Sequence, residues 1–162
     1  MSARLSLILL AFMVPALAGA KQTCEVVSVH DGDTFTALCN DKSVRIRVSS
    51  IDAPELDQTW GPASRNFAAE LLREGHVELE RIDRDRYGRT VAKVQMSDGR
   101  DLAREMVRAG FAFHYLAYSL DPELGKLETE AKAANRGIWS FGGSERPSEF
   151  RATKRSKVKR SQ

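Results

Sequence analysis

The stretch "VHDGDTFTAL", residues 29–38, sets two acidic residues around one glycine and runs straight into strand-forming residues. Asp31-Gly32 between apolar runs predicts a β-hairpin closed by a two-residue type I′ turn, which needs positive φ at both central positions. Asp33 is left over, a second negative charge where the turn needs none. With Asp31 and Gly32 as the turn, the numbers of facing residues sum to 63. The only two cysteines, Cys24 and Cys39, meet that condition. A directly opposed pair is close enough for a disulfide. A pair of small buried thiols, or a bulge that breaks the register, is the other reading.

Further strands extend outward from this hairpin. Apolar, β-branched runs cover 24–30, 33–39 and 43–51. In "SVRIRVSSI", Val44, Ile46 and Val48 fall on one face, with Arg45, Arg47 and Ser49 on the other. "HVELERI" (76–82) and "TVAKVQM" (90–96) read as two more strands, separated by the polar loop "DRDRYG". Three helices are expected. The first starts near Pro62 and ends near Gly75, and the second covers about 100–109. The third has Asp121 as N-cap and Gly137 just past its end. The expected fold class is α+β, a five-stranded OB-fold β-barrel with three packed α-helices. Periodicity alone does not separate it from other α+β layouts.

Both ends of the chain differ from the body. "MSARLSLILLAFMVPALAGA" has an early Arg4, an apolar run from Leu5 to Leu17 and a small-residue end at Ala18-Gly19-Ala20. It is expected to be a signal peptide, residues 1–20, cut after Ala20. The run is short for a membrane span, and an uncleaved anchor is the alternative. The remaining protein is then exported, to the periplasm or the medium, where an oxidising compartment favours the disulfide. Residues 21–142, the expected single domain, hold 17 Lys or Arg against 20 Asp or Glu. Residues 143–162 hold seven Lys or Arg against two Glu. That stretch offers little apolar surface to bury and is expected to be a disordered basic tail.

The residues with chemical potential lie around the third strand. Beyond it the chain reads "IDAPELD", placing Asp52, Glu55 and Asp57 within six residues, with Pro54 stiffening the segment. If the third strand pairs beside the second, Asp52 approaches Asp33. Two carboxylates brought together repel unless a proton or a cation lies between them, and a hard divalent cation is the simplest answer. Both residues could equally be ordinary polar groups at a turn and a strand end. Arg47 and Arg89 add guanidinium groups suited to phosphate. A metal, a free carboxylate and two arginines are what phosphodiester hydrolysis requires. Phe111, Phe113, Tyr115 and Tyr118 are either core residues or stacking platforms for bases. His30, His76 and His114 share no metal-ligand spacing.

Taken together, "DGDT", then "R-x-x-x-x-D-A-P-E" at 47–55, then "DRYGR" at 85–89 resemble the thermonuclease, or staphylococcal nuclease-like, family. "GPASRNFAAELL", "MVRAGFA" and "NRGIWS" follow the same pattern, so the resemblance covers roughly residues 24 to 140. It implies Ca²⁺-dependent cleavage of DNA and RNA that leaves 3′-phosphate and 5′-hydroxyl ends. Carried over, Asp33 and Asp52 would bind Ca²⁺ with the Ala53 carbonyl, and Asp31 would sit near the ion through water. Arg47, Glu55 and Arg89 would be catalytic, with Glu55 the candidate base. Arg86 and Tyr87 would contact the terminal phosphate of the substrate. Ser50 departs from the Gly of many relatives. A monomer acting on DNA and RNA is expected. The competing readings are a non-catalytic OB-fold module binding nucleic acid or protein, and a cell-surface structural protein.

Overall fold

The computed structural model describes residues 21–142 and 144–160. The expected signal peptide lies outside them. Strands β1 (Lys21–Val29), β2 (Thr34–Cys39) and β3 (Lys42–Val48) form an antiparallel meander, and β5 (His76–Arg84) pairs antiparallel with β6 (Thr90–Met96). The sheet closes as a barrel in the order β1-β2-β3-β6-β5, with β5 returning to β1 and β3 running parallel to β6. A separate two-stranded sheet joins β4 (Ile51–Asp52) to β7 (Phe113–His114). Helices α1 (Gly61–Leu71), α2 (Leu102–Arg108) and α3 (Pro122–Ala133) are followed by a 3₁₀ segment (Gly137–Gly142) and by α4 (Pro147–Arg160). This is the expected five-stranded OB-type barrel, with one helix more than the sequence suggested.

Alternation builds the core. Phe35 and Ala37 of β2, Ile46 and Val48 of β3, Val77 and Leu79 of β5, and Ala92, Val94 and Met96 of β6 are buried. Arg45 and Arg47 leave the opposite face of β3, as the period of two requires. Met106 and Val107 of α2 and Leu124, Leu127 and Ala131 of α3 bury the apolar stripes of their helices. Asp101 and Asp121 cap α2 and α3 by accepting hydrogen bonds from the N–H groups of Arg104 and Glu123.

The opening hairpin differs from expectation at its tip. The carbonyl of Thr34 accepts hydrogen bonds from the N–H groups of His30 and Asp31, so the loop spans 30–33. Neither Asp31 nor Gly32 has positive φ, so this is no type I′ turn. Val29 faces Phe35 and Ser28 faces Thr36, a register one step off. An irregularity between Val26 and Ser28 shifts it back, so that Glu25 faces Leu38. Loop and bulge thus cancel, and one step further Cys24 and Cys39 are joined by a disulfide. The two-residue turn with positive φ lies instead between β2 and β3, at Asn40 (47°) and Asp41 (60°).

Two further corrections bear on the site. The run expected as one strand over 43–51 breaks after Val48, because Ser50 adopts φ 68° and starts β4 in another sheet. The expected disordered tail contains α4. Its sequence buries little apolar surface, and ion pairs from Arg151 to Asp52 and Glu55 and from Lys154 to Asp57 fasten it to the body.

Candidate active site

The site forms where three chain segments meet at one end of the barrel. Asp33 closes the 30–33 loop, and its carbonyl accepts a hydrogen bond from Val48 N–H at 2.8 Å. Thr34 pairs with Arg47 across β2 and β3, which brings the aspartate and the arginine together. The turn at Ser50 then folds β4 back, so Asp52 and Ala53 return toward Asp33.

Asp33 and Asp52 are only 6% and 3% exposed. Asp33 Oδ2 accepts from Ala53 N–H at 2.7 Å, and Oδ1 accepts from the Thr34 hydroxyl at 3.0 Å and pairs with Arg47 Nε at 3.1 Å. Arg47 Nη2 reaches Asp52 Oδ1 at 3.3 Å and the Ile51 carbonyl at 2.8 Å. One guanidinium therefore bridges both aspartates, which neutralises part of their repulsion. Burial pushes the Asp52 carboxyl up; hydrogen bonds from Arg151 oppose this, and the nearby Asp33 charge adds to it. Asp31 accepts from Asp33 N–H at 3.0 Å. Its carboxyl is raised to about 6, first by burial and then by the charge of Asp33.

Gly32 sits against this cluster without room for a side chain. A Cβ there would lie 1.9 Å from Ser64 Oγ and 2.7 Å from Ala53 Cβ. The glycine next to Asp33 thus serves close packing, not a positive φ.

Arg89 approaches from the β5–β6 loop. Its Nε donates to Asp85 Oδ2 at 2.7 Å and its Nη1 to Thr34 Oγ1 at 3.4 Å. Burial raises the Asp85 carboxyl, but hydrogen bonds from the Arg89 side chain and backbone outweigh it, so the group titrates below its ordinary value. Arg86 and Tyr87 share the loop. Arg86 Nη2 donates to the Tyr87 hydroxyl at 2.8 Å, and the Arg89 guanidinium lies 5.5 Å from the ring centre of the exposed Tyr87. Glu55 projects from the 53–60 loop, its N–H tied to Gln58 Oε1 at 2.8 Å.

The matching family model is that of the staphylococcal nuclease homologues, over residues 45–141. The chain belongs to the staphylococcal nuclease homologue family. An uncharacterized endonuclease of Haemophilus influenzae is 37% identical over 147 residues, covering 90% of this chain and 82% of the relative. An uncharacterized endonuclease of Escherichia coli is 41% identical over 134 residues, 83% of this chain and 87% of the relative. The micrococcal nuclease of Shigella flexneri is 33% identical over 154 residues, 89% of this chain and 87% of the relative.

Within this family member the structure gathers Asp31, Asp33, Arg47, Asp52, Ala53 and Glu55 into one cluster, with Arg89 joined to it through Thr34. Of the four aromatics considered, Phe113 is buried against Trp139 and Phe111 stacks on Phe67, whereas Tyr118 is exposed beside Tyr115. Sequence reading missed Thr34, which links Asp33 to Arg89, and Asp85, which aims Arg89. It also missed Arg151 of α4, whose guanidinium touches both Asp52 and Glu55. The "T" of "DGDT" and the "D" of "DRYGR" were visible signals; nothing around Arg151 pointed to it.

Whether these residues suit a cation can be judged from what already lies on them. Two nearly buried carboxylates face one another and are met by the guanidinium groups of Arg47 and Arg151. Among the described residues, no three His, Cys, Asp or Glu side chains group as a metal site. The donors present are the Asp33 and Asp52 carboxylates, hard oxygen ligands of the type a divalent ion with a flexible oxygen shell takes, and carbonyl or water oxygens would have to complete that shell.

Proposed function

We propose that the protein is an exported, Ca²⁺-dependent nuclease that hydrolyses DNA and RNA phosphodiester bonds to 3′-phosphate and 5′-hydroxyl ends. The observation that carries this reading is the bridge of Arg47 across Asp33 and Asp52, with Glu55 as a further carboxylate beside them. Asp33, Asp52 and the Ala53 carbonyl would hold the cation, which when bound supplies charge neutralisation at the phosphoryl oxygens. Arg47 and Arg89 donate to the same phosphate and stabilise charge that grows as water attacks. Glu55 accepts a proton of that water as its oxygen bonds to phosphorus, the bond from phosphorus to the 5′ oxygen breaks, and that oxygen takes a proton from solvent to leave as the hydroxyl. Arg86 and Tyr87, beside Arg89, would contact the terminal phosphate of the substrate. The apolar segment at 5–17 and the Cys24–Cys39 disulfide support export to an oxidising compartment.

The test is cleavage of plasmid DNA and of RNA by the purified protein with Ca²⁺ or with chelator, followed by chemical analysis of the ends. Ca²⁺-dependent products ending in 3′-phosphate support the reading. Retention of nucleic acid without cleavage would replace it with the binding-module alternative.

A further inference from the structure

Helix α4 reaches the acidic cluster through one side chain. Arg151 Nη1 and Nη2 each donate to Asp52 Oδ1 at 3.2 Å, and Nη2 also donates to Asp52 Oδ2 at 3.0 Å. Nη1 donates to Glu55 Oε1 at 2.6 Å. Burial lowers the proton affinity of this guanidinium, but its bonds to Asp52 and Glu55 win and lift it above its ordinary value. Just beyond, Lys154 Nζ bonds to Asp57 Oδ2 at 2.6 Å. The attachment is ionic. Pro147 is buried at the start of the helix and Phe150 is half-buried, while residues 152–158 are exposed.

The base of the helix is held separately. Arg146 Nη1 donates to the His114 carbonyl at 3.3 Å, its Nη2 pairs with the buried Glu128 at 3.2 Å, and its guanidinium lies 4.9 Å from the Phe113 ring centre. Gln58 Nε2 donates to the Glu145 carbonyl at 3.1 Å. The segment before α4 is therefore pinned by partners other than the Asp52 and Glu55 side chains: the buried Glu128, the His114 carbonyl and the Gln58 amide. The helix itself rests on the carboxylates of that cluster.

Arg151 occupies both oxygens of Asp52 and one oxygen of Glu55. These are the groups that the proposed reaction needs for the cation and for the proton of water. An oxygen fully engaged by a guanidinium is not free for either task. We infer that Arg151 is an internal stand-in for the divalent cation, so that α4 latches the site when the cation is absent and comes away when a cation takes Asp52. This rests on the cation site proposed above. A latch of this kind reduces the apparent cation affinity by the fraction of molecules that are open. Removing it raises that affinity by the same factor.

The experiment uses the full exported chain, with Ca²⁺ binding measured by calorimetry and hydrogen–deuterium exchange followed over 147–158, with and without saturating Ca²⁺. In the parent protein Ca²⁺ is expected to speed exchange in α4. In Arg151→Ala, exchange is fast in both conditions, and Ca²⁺ binds about tenfold more tightly. Arg151→Lys, which keeps the charge but loses the fork that spans two carboxylates, falls between. An α4 that exchanges equally with and without bound Ca²⁺ overturns the latch, as does an Arg151→Ala variant that binds Ca²⁺ no better than the parent. In either case Ca²⁺-dependent cleavage still stands. A parent protein that neither takes up Ca²⁺ nor cleaves DNA overturns both readings.

Discussion

The Asp33 carboxylate is fixed by the backbone of Ala53: the Ala53 N–H donates to Asp33 Oδ2 at 2.7 Å, across 20 residues of sequence. The contact ties the 30–33 loop to the start of the "DAPE" segment, so the side chain proposed to hold the cation also carries local stability. Asp33→Asn is expected to weaken Ca²⁺ binding at least tenfold, with activity partly recovered at higher Ca²⁺. Asp33→Ala is expected to cost about 1–3 kcal/mol as well, because Ala53 N–H and Arg47 lose a buried acceptor. Calorimetric Ca²⁺ titration and urea unfolding separate the two effects.

Gly32→Ala tests the packing beside that aspartate. The added Cβ would meet Ser64 Oγ at 1.9 Å and Ala53 Cβ at 2.7 Å, and the loop must move. The expected loss is about 1–3 kcal/mol, in the range for overpacking. Ser64→Ala removes the nearer obstacle but also the Ser64 hydrogen bond to the Phe111 carbonyl. The double variant should therefore lose less than the two single losses combined. A strictly additive pair in thermal unfolding would mean that Gly32 is there for another reason.

How much of this was legible follows from what each feature depends on. The barrel was readable because "SVRIRV" and "TVAKVQM" alternate, and alternation is a local consequence of one buried face. The approach of Asp33 to Asp52 was readable in part: pairing of β2 with β3 brings Asp33 beside the end of β3, but the turn at Ser50 that folds Asp52 back toward it was not foreseen. The bulge in β1 was not, since "CEVVSVH" carries no residue that demands one. The turn at Asn40-Asp41 was overlooked although both residues tolerate positive φ. Helix α4 was beyond reach because its partners, Asp52 and Glu55, lie 99 and 96 residues away and a basic, weakly apolar segment gives no local sign of docking.

The disulfide closes the first hairpin, with a sequence separation of 15. Replacing Cys24 and Cys39 by serine is expected to reduce stability by up to ~3 kcal/mol in the chain-entropy picture, less where the hairpin constrains the unfolded chain. Reduction of the parent protein should reproduce the loss. Chemical denaturation of the oxidised, reduced and double-serine forms measures it, and equal midpoints for all three would contradict the expectation.

Asp85 is a positioning residue for Arg89, holding its N–H at 3.0 Å and its Nε at 2.7 Å. Asp85→Ala is expected to lower kcat roughly tenfold through misplacement of the guanidinium, while Ca²⁺ affinity stays within about threefold. Asp85→Asn, which retains an acceptor oxygen, should recover part of the rate. Single-turnover cleavage at saturating Ca²⁺ distinguishes this from general destabilisation, because a merely unfolded fraction would lower the amplitude and leave the rate constant intact.

The last expectation divides labour between Arg47 and Glu55. Arg47 donates to Asp33, Asp52 and the Ile51 carbonyl at once, so it organises the cluster besides the role proposed for it at the phosphate. Arg47→Ala should therefore cut the cleavage rate by ~10²-fold or more and also change Ca²⁺ affinity, because two buried carboxylates lose their shared counter-charge. Glu55, more exposed and, among the described residues, tied to the cluster through Arg151, has no such duty. Glu55→Gln should lower the single-turnover rate by ~10²–10⁴-fold, the range for a lost general base. Its Ca²⁺ affinity should stay within about threefold of the parent, since the aspartates that would hold the ion are untouched. If both variants cleaved DNA at the parent rate, these residues would be structural, and the binding-module reading would stand in place of the nuclease.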